Sequence, residues 1–391
     1  CAGWNEDWAD RHPEWLQVSP EGVVGLKRPF DSHYYGWRTL CIGRPEYRAQ
    51  LKAELSEIAE RYGPRGVEGF WIDIVLSRRC VCDHCRKDMA NRGLDPSRPE
   101  DLARHDRENE IGFMEELTAH IRSLDPGLIV YYNGHPYDPD LRDDPVHTTE
   151  RKRKAMDFVD IESLPSDAWG YTHFPVNVNY LNKYSQSLTM MNGKFHLAWG
   201  DFGSLRNEEA LEYECFRGLA HGAKVCVGDQ LHPTGRLEPA AYDRVGRVLR
   251  TVAELEPYCV DTGKVREVGV FLAHRVLGSQ FSTAVNQVHE GVYRLLTELR
   301  IPFDFIDFED DLAPYRLVIV PEGLTLPETV LDRIDRFIAS GGRLLGIADG
   351  GRSESGDRLP AAYCAEPTGQ APFCPRYFRV PADFDPDIPA M

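Results

Sequence analysis

Short apolar runs alternate with amphipathic helical segments up to about residue 256, and this alternation constrains the fold more than any other feature of the sequence. The segments "GFWIDIV", "LIVYYNG", "DFVDIES", "SLTMMNG" and "AKVCVGDQ" have the length and apolar content of buried strands. Amphipathic segments such as residues 51–63 and 111–124 separate them. The βαβα order predicts an α/β fold in which helices cover a parallel sheet.

Polar residues end the successive predicted strands. They are Asp73, Asn133 with His135, Glu162, Asn192, and Asp229 with Gln230. Polar groups at the carboxyl ends of many parallel strands are typical of a TIM barrel, so we predict a (β/α)8 barrel over residues 1–258. The alternative, an open doubly wound sheet, would gather such groups at one switch point. A barrel has eight strands and fewer are visible, so we expect its first strands to lie upstream of a truncated chain.

The pattern breaks around residues 257–265, which predicts a domain boundary. Residues 265–391 predict a small flavodoxin-like, glutamine-amidotransferase-like α/β domain. Its first helix, predicted over residues 283–301, would bury one apolar stripe. The stripe consists of Val285, Val288, Val292, Leu295 and Leu299. This part of the chain has neither a G-x-G-x-x-G motif nor a phosphate loop, so we expect no organic cofactor.

The 391 residues include 62 acidic and 45 basic side chains, which gives a formal net charge of −17. This balance repels phosphate backbones and anionic membranes, so neither nucleic acid nor a membrane is an expected partner. No apolar stretch reaches the length of a membrane span, and the first residues do not follow the signal-peptide pattern. We therefore expect a neutral substrate and a cytoplasmic location.

Several motifs resemble those of one enzyme family. "HPEWLQVSPEG", "GWRTLC", "GFWIDIV", "CVCDHC", "YYNGHP", "IESLPSDAWGYTHFP", "WGDFGS" and "GDQLHP" resemble segments of the hypothetical glycosyl hydrolases related to α-L-fucosidases, also called hypothetical glycosyl hydrolase family 6. The part after residue 264 resembles the β-galactosidase trimerisation domain, a flavodoxin-like module without catalysis. The resemblance implies a glycosidase and is more specific for the family than for the substrate.

Glycoside hydrolysis requires two carboxyl groups that flank the sugar, one as the acid and one as the nucleophile or base. Asp73 is the first candidate because it ends an otherwise apolar strand. In the α-L-fucosidases that the chain resembles, the nucleophile is an Asp at the end of strand four. "GFWIDIV" becomes strand four when the missing strands are counted. The alternative is a structural Asp that binds a neighbouring Arg or a backbone amide.

Glu162 is the candidate acid/base, because it ends the sixth strand, where the α-galactosidase group places that residue. The aromatic rings of Trp169 and Tyr171 would desolvate it and raise its pKa, as a general acid requires. Asp160 lies two residues earlier on the same side of the strand but deeper, and the competitors are Asp201 and Asp229. Alternatively, Glu162 accepts hydrogen bonds from sugar hydroxyls or pairs with an Arg. The "NE" pair of the β-galactosidases that share the trimerisation domain is absent at strand four, which argues against simple β-galactosidase chemistry.

A sugar site also needs flat apolar faces and polar groups that bind hydroxyls. The candidates on predicted βα loops are Trp4, Asn133, His135, Trp169, His173, His196, Trp199, Asp201, Asp229, Gln230 and His232. Each of them alone is explained by a structural role, but their collection at one rim predicts a carbohydrate site. Arg78 and Arg79 would suit a carboxylated sugar, although solvent or acidic neighbours explain them as well.

The sequence also predicts a metal site. Cys80, Cys82 and Cys85 have the spacing C-x-C-x₂-C, and Cys41 lies on the adjacent predicted βα loop. The β-galactosidases named above use the same arrangement, so these four thiols predict a closed structural zinc site that would fix the loop after the first strand. His84 is an alternative ligand, and four free thiols are the alternative to a metal. The other cysteines show no metal-binding spacing, and we interpret them as thiols of the core or as thiols without a specific role. They are Cys215, Cys226, Cys259, Cys364 and Cys374.

These features predict a retaining α-L-fucosidase-like exo-glycosidase with Asp73 as nucleophile and Glu162 as acid/base. The alternatives are a β-galactosidase or another exo-glycosidase, and a carbohydrate-binding pseudoenzyme with a misplaced carboxyl pair. A carboxyl separation of about 5–5.5 Å would indicate retention and one of about 6.5–9.5 Å inversion. The module after residue 264 implies a homo-oligomer, most simply a trimer, with a monomer as the alternative.

Overall fold

The structure is a computed structural model. It describes residues 3–25, 38–73, 75, 77, 79–133, 151–183, 187–197, 199–259, 262–272, 283–356 and 358–363. Four residues discussed above lie outside this part of the chain, namely Arg78, His135, Cys364 and Cys374.

The strands of the described residues pair in parallel. They are β1 (Gly69–Ile72), β2 (Ile129–Tyr132), β3 (Val159–Glu162), β4 (Leu188–Gly193), β5 (Lys224–Gly228), β6 (Val268–Phe271), β7 (Phe303–Ile306), β8 (Leu317–Val320) and β9 (Arg343–Gly346). Strand β1 pairs with β2, the order β3-β4-β5 forms a second sheet, and β7-β6-β8-β9 forms a third. Every strand pairing in these sheets is parallel. The fold is therefore mixed α/β with parallel sheets, as the alternation in the sequence predicts.

Helices connect most of the parallel strands, because each crossover must return the chain to the same end of the sheet. The α-helices with described bounds are α1 (Glu6–Arg11), α2 (Pro45–Tyr62), α3 (Asp83–Asn91), α4 (Pro99–Leu124), α5 (His173–Leu181), α6 (Glu208–Ala220), α7 (Pro239–Leu255), α8 (Thr283–Glu298) and α9 (Glu328–Ala339). None of the helices in the described part of the chain combines the length and the apolar character that crossing a membrane requires.

Helix α4 is longer than its apolar pattern predicts. Its predicted stripe is buried, with exposures of 4% or less for Ile111, Met114, Leu117 and Ile121. The helix nevertheless begins at Pro99, a dozen residues earlier, with Glu100 and Asp101 in the first turn. Proline at the first helical position and acidic side chains beside it both favour a helix start. The mostly charged first half of α4 therefore continues the helix, and it buries Leu102, His105 and Asn109 in addition.

Hydrogen bonds join β2 to β3 and so connect the first two sheets. The backbone N–H of Asp157 donates to the carbonyl oxygen of Val130 at 2.9 Å, and the N–H of Val130 donates to Asp157 Oδ2 at 2.7 Å. The hydroxyl of Tyr131 donates to the carbonyl oxygen of Asp160 at 3.0 Å. Strands β1 to β5 therefore neighbour one another in chain order, and their carboxyl ends lie along one edge.

The third sheet shares a core with the β3–β5 sheet. Phe174 and Val178 of α5 belong to the same buried cluster as Val270 of β6 and Phe305 of β7. Burial of these side chains away from water stabilises the contact between the two parts of the chain. We call this contact the seam.

Two buried ion pairs flank the seam. Lys264 Nζ lies 2.5 Å from Asp304 Oδ1 and also donates to Asn179 Oδ1 at 2.5 Å. Lys183 Nζ lies 2.7 Å from Asp307 Oδ2. Asp304 and Asp307 are 4% and 1% exposed, so both carboxylates are neutralised inside the protein. We refer to Lys264–Asp304 and Lys183–Asp307 as the seam ion pairs.

Helix α8 buries only part of the predicted stripe. Leu295 and Leu299 of the predicted stripe are 47% and 59% exposed. From residue 288 onward, where the side chains are described, Val292 of the stripe is buried together with His289, Tyr293 and Leu296. The ring of His289 packs 5.3 Å from that of Phe305. Both sets have helical spacing, so the periodicity alone could not decide between them, and aromatic contacts with β7 select the face that is buried.

Candidate active site and thiol cluster

One side-chain amide joins two of the predicted carboxyl groups. Asp73 follows β1, Asn133 follows β2, and Glu162 is the last residue of β3. Asn133 Nδ2 donates to Asp73 Oδ1 at 2.8 Å and to Glu162 Oε2 at 3.2 Å. The parallel arrangement brings the three strand ends to one edge, so residues 60 and 29 positions apart meet there.

The shared amide limits how far apart the two carboxyl groups lie. Asp73 Oδ1 and Glu162 Oε2 bond to the same nitrogen, so their separation cannot exceed 6.0 Å, the sum of 2.8 and 3.2 Å. The two N–H bonds of an amide diverge by about 120°, and donation of one bond to each oxygen gives a separation of about 5 Å.

Burial and charge set the protonation of Glu162. Burial raises the pKa of Glu162, and the negative charge of Asp73 raises it further. The hydrogen bond from Asn133 acts in the opposite direction and lowers the pKa of Glu162. Glu162 therefore keeps its proton at higher pH than an exposed glutamate does, a property required of a general acid.

Asp160 lies beneath this pair. It is two residues before Glu162 in β3, so both side chains are on the same face of the strand. Asp160 is 1% exposed, and neither of its carboxyl oxygens has a hydrogen-bond partner among the residues that the structure describes. Burial raises the pKa of Asp160 to about 8, with a further contribution from the charge of Glu162. At neutral pH Asp160 is therefore mostly a neutral carboxylic acid.

The segment after β3 brings two predicted sugar-site residues next to Glu162. Ser163 Oγ lies 2.6 Å from His173 Nδ1, at the start of α5. The ring of Trp169 lies 4.9 Å from that of His173. Trp169 and His173 therefore belong to the same strand end as Glu162.

The two competing carboxyl groups after β4 and β5 have local structural partners. Asp229 Oδ1 lies 2.9 Å from Lys194 Nζ. The carboxylate of Asp201 accepts hydrogen bonds from Ser204 Oγ and, at 3.2 Å, from the N–H of Gly203. The hydrogen bond from Ser204 is the main reason that the pKa of Asp201 lies below its usual range. These contacts explain Asp201 and Asp229 without a catalytic role.

The remaining predicted site residues occupy different places. Trp199 and His196 are exposed on the loop after β4, and His232 Nδ1 lies 2.9 Å from Thr234 Oγ1 on the loop after β5. The backbone of Trp4 forms an antiparallel bridge with Thr39, on the segment before Cys41. This pairing holds the backbone of Trp4 beside the segment that leads to Cys41.

Asn192 ends β4 but faces a helix. It is 0% exposed, and its Nδ2 donates to Glu214 Oε2 of α6 at 2.7 Å. Glu214 also pairs with Arg206. The prediction that every polar strand end contributes to one active face is therefore wrong for Asn192.

Sequence reasoning missed three side chains that order the site. They are Tyr131, Ser163 and Lys194. Ser163 and Lys194 each come directly after a strand, which is the only signal that the sequence offers for them. Tyr131 is an aromatic within an apolar run, and nothing in the sequence distinguishes it from its neighbours.

The four predicted metal-binding thiols form one buried cluster. The sulfur atoms of Cys41, Cys80, Cys82 and Cys85 all lie within 4.8 Å of one another. Cys41 Sγ is 3.5 Å from Cys85 Sγ and 3.8 Å from Cys82 Sγ. Tetrahedral zinc with Zn–S bonds of about 2.3 Å needs sulfur separations of about 3.8 Å, so the cluster fits such an ion.

Contacts among the four thiols shift their pKa values in opposite directions, because they lower the pKa of Cys80 and Cys82 and raise the pKa of Cys41 and Cys85. Contact with Cys41 is the main cause that lowers the pKa of Cys82, with smaller contributions from Cys80 and Cys85. Thiolates are the form of cysteine that binds metal. The cluster could therefore hold a metal ion through four sulfur ligands, which would leave no open coordination position.

Helix α4 holds the loop that runs from Asp73 to this cluster. Ser77 donates from its backbone N–H to Glu110 Oε1 at 3.0 Å and from its Oγ to Asp106 Oδ1 at 2.8 Å. Asp106 also accepts a hydrogen bond from the backbone N–H of Arg79. The loop is therefore attached to α4 between the carboxyl pair and the thiols.

Comparison with known proteins identifies relatives of both parts of the chain. Residues 274–364 match the family model of the β-galactosidase trimerisation domain. The α-L-fucosidase isoenzyme 2 from Paenibacillus thiaminolyticus superimposes with a TM-score of 0.80 at 30% sequence identity, over 92% of this chain and 52% of that one.

β-Galactosidases are similar as well. The β-galactosidase GalA of Bacillus licheniformis is 22% identical over 409 residues, which cover 86% of this chain and 60% of that protein. The β-galactosidase from Rahnella sp. R3 shares the fold with a TM-score of 0.66 at 18% identity, over 90% of this chain and 61% of that one. The chain thus spans between about half and two thirds of the length of these relatives.

The resemblance that the sequence motifs indicate is confirmed by these matches. The chain is a relative of the glycoside hydrolases, and its residues 274–364 match the trimerisation domain of their β-galactosidases.

Proposed function

We propose that the protein is a retaining exo-glycosidase in which Asp73 is the nucleophile and Glu162 is the acid/base. The observation that carries this proposal is the amide of Asn133, which bonds to both carboxyl groups. Its geometry gives a separation of about 5 Å, the value typical of retaining glycosidases, whereas inverting ones need about 6.5–9.5 Å to admit a water molecule.

In the first step, the Asp73 carboxylate attacks the anomeric carbon while Glu162 gives its proton to the glycosidic oxygen. The bond to the leaving group breaks, the leaving group departs as an alcohol, and a glycosyl ester forms on Asp73. In the second step, Glu162 takes a proton from a water molecule whose oxygen attacks the anomeric carbon and releases Asp73. The raised pKa of Glu162 supports the first step, because the acid must be protonated when it acts.

Two sugar classes are supported by different observations. The fold and 30% identity shared with the fucosidase favour an α-L-fucoside, the substrate class that the sequence motifs also predict. The trimerisation domain and the GalA relationship favour a β-D-galactoside. A panel of 4-nitrophenyl glycosides that includes both sugars, assayed with the full-length protein, separates the two classes.

Asp73→Asn tests the mechanism. We expect kcat to fall by about three orders of magnitude or more, because the nucleophile acts only in the transition state and the intermediate. Azide should rescue Asp73→Asn and give a glycosyl azide of inverted configuration, whereas rescue of Glu162→Gln should give the retained configuration. Asp95→Asn, at an exposed loop carboxylate bonded to Ser97, is the matched control. Near-normal turnover by Asp73→Asn would exclude the assignment, and sugar binding without turnover by the wild type would favour the pseudoenzyme.

We also propose that β1 to β5 belong to a (β/α)8 barrel within residues 1–258 and that residues 265–391 form a flavodoxin-like domain. The chain-order succession of β1 to β5 supports the barrel. The order β7-β6-β8-β9 supports the second domain, because flavodoxin-like sheets place their second strand beside the first at one edge. A structure of the full-length protein with eight strands closed around the carboxyl pair is the expected result.

The cysteine cluster is proposed to hold a structural zinc ion. Four thiolates leave no position for water, so the ion would stabilise the loop after Asp73 rather than take part in the reaction. Elemental analysis should find about one zinc per chain, and Cys82→Ser should lower the zinc content and the melting temperature together. Cys215→Ser, which alters a buried thiol outside the cluster, should keep the zinc. Wild-type protein that lacks zinc after purification without chelators would contradict this proposal.

The trimerisation-domain match supports a homo-oligomer, most simply a trimer, as the assembled state. Light scattering on the full-length protein should give a mass of three chains. A monomer mass at micromolar concentration would leave the module after residue 264 as a rigid flank of the proposed barrel.

A further inference from the structure

Two glycines at the paired ends of β4 and β5 make room for an indole ring. Gly193 and Gly228 are register partners in the parallel pair. A Cβ atom at Gly228 would lie 2.6 Å from both Cζ3 and Cη2 of Trp199, and a Cβ at Gly193 would lie 3.7 Å from Cε3 of the same ring. The benzene part of the Trp199 indole therefore packs directly against the backbone of Gly228. Any side chain at Gly228 would collide with the ring.

The indole is fixed on this seat yet open to solvent. The ring of Phe195 lies 5.2 Å from that of Trp199 in an edge arrangement. Gly200, directly after Trp199, has a positive φ of 84°, and a Cβ there would lie 2.7 Å from Gln230 Oε1. Trp199 remains 37% exposed although three of its ring atoms pack on the strand ends. A large apolar ring held in one place and left accessible is typical of a binding platform.

The platform lies beside the proposed acid/base. A Cβ at Gly193 would be 3.4 Å from Leu164 Cδ2, and Leu164 is two residues after Glu162. Along the edge the order is Asp73 on β1, Asn133 on β2, Glu162 on β3, and then the Trp199 seat on β4 and β5. Trp199 therefore flanks Glu162 on the side away from Asp73.

We propose that Trp199 is the platform for the leaving group, and that the protein acts on glycosides whose leaving group presents a flat apolar face, such as an aryl ring or a second pyranose. This inference rests on the proposed function, because the acid gives its proton to the glycosidic oxygen and the leaving group extends from that oxygen. The nucleophile lies on the opposite side, so the sugar ring occupies the space nearer Asp73.

The test compares two substrates of one sugar that differ only in the leaving group, a 4-nitrophenyl glycoside and the corresponding glycosyl fluoride. Trp199→Ala should raise KM for the aryl glycoside about tenfold, the change that follows from losing one aromatic contact. Its KM for the fluoride, whose leaving group is a single atom, should be unchanged. Trp199→Phe should lie between wild type and Trp199→Ala.

Gly228→Ala should reproduce the effect of Trp199→Ala while Trp199 itself is kept, because the new methyl group displaces the indole ring. Gly112→Ala is the matched control, since a Cβ at this helical glycine meets nothing within 4 Å. Equal effects on both substrates would overturn the assignment to the leaving group. A changed mass of Trp199→Ala in light scattering would also overturn it, by assigning the ring to a subunit contact.

A binding experiment keeps this inference separate from the proposed hydrolysis. Calorimetry on Asp73→Asn measures the affinity for the 4-nitrophenyl and methyl glycosides of α-L-fucose and β-D-galactose. The aryl compound should bind more tightly, and Trp199→Ala in the Asp73→Asn background should abolish the difference. If Trp199→Ala removes the aryl preference and the wild type hydrolyses no glycoside, the result would support the platform and reject the proposed reaction. An aryl preference that persists without Trp199 would reject the platform.

Discussion

Buried carboxyl groups occur in two regions of the molecule with opposite electrostatic surroundings. At the seam, Asp304 and Asp307 each contact a lysine ammonium at 2.5 and 2.7 Å. At the end of β3, neither Asp160 nor Glu162 forms an ion pair with any of the described residues, and burial raises the pKa of both. At the seam, lysine cations thus neutralise the carboxylates. On β3, the two carboxyl groups carry less negative charge because they retain their protons.

The difference indicates what each region does. A buried charge is tolerated when a partner of opposite charge satisfies it, and removal of that partner is strongly destabilising. Buried acids without such partners destabilise the fold at neutral pH, and groups with strongly shifted pKa values occur preferentially at functional sites. We therefore expect the seam ion pairs to serve stability, and the uncompensated acids of β3 support the proposal that this strand end is the active site.

The largest expected effect comes from making Asp160 neutral at every pH. Its folded pKa of about 8 lies above the ordinary value of 3.8, so the folded state holds a proton that the unfolded state releases as the pH rises. Stability is therefore lost between about pH 4 and pH 8, by at most about 1.4 kcal/mol per pH unit. Asp160→Asn removes this loss, and its free energy of unfolding relative to wild type should increase steadily across that range.

Asp304→Asn is the comparison for that experiment. It leaves the ammonium of Lys264 without its carboxylate, so it should destabilise the protein at neutral pH. Denaturant unfolding at several pH values measures both variants. The same sign of effect for Asp160→Asn and Asp304→Asn at pH 7 would contradict the division between the two regions.

Removing a seam cation should be the next largest change. Lys264→Met leaves Asp304 with Arg266 Nε at 3.4 Å and Tyr315 Oη at 3.2 Å as its remaining side-chain partners in the described part of the chain. We expect a loss of about 3 kcal/mol in the free energy of unfolding, the lower end of the range for a broken buried pair. The exposed Lys87→Met is the control and should change stability by less than about 0.5 kcal/mol. A loss for Lys264→Met no larger than that of the control would show that the seam pair contributes nothing.

The sequence predicts the features that depend on neighbouring residues. The strands before Asp73 and up to Glu162 are found where the apolar runs predict them, because a short apolar segment between amphipathic helices is typical of a buried strand. The thiols also meet as predicted, since Cys80, Cys82 and Cys85 lie within one short loop and helix start.

The features that the sequence could not predict depend on tertiary packing. The face of α8 that is buried is decided by β7, and the outward turn of Asn192 is decided by Glu214 on α6. The amide bridge from Asn133 to Asp73 and Glu162 requires the register of three strands, which no local pattern contains. Periodicity restricts the possible contacts, and packing selects among them.

The smallest expected effect concerns the amide that bridges the carboxyl pair. The hydrogen bond from Asn133 lowers the pKa of Glu162, so Asn133→Ala should raise that pKa further. The proposed mechanism needs protonated Glu162, and activity falls as the pH rises through its pKa. The basic limb of the kcat/KM profile for a 4-nitrophenyl glycoside should therefore move to higher pH in Asn133→Ala, even though the variant is slower. Asn192→Ala is the matched control, because this strand-end amide bonds to Glu214 and should leave the limb in place. A basic limb that stays fixed or moves to lower pH in Asn133→Ala would remove Glu162 from the role of the acid and end its contrast with the charged carboxylates of the seam.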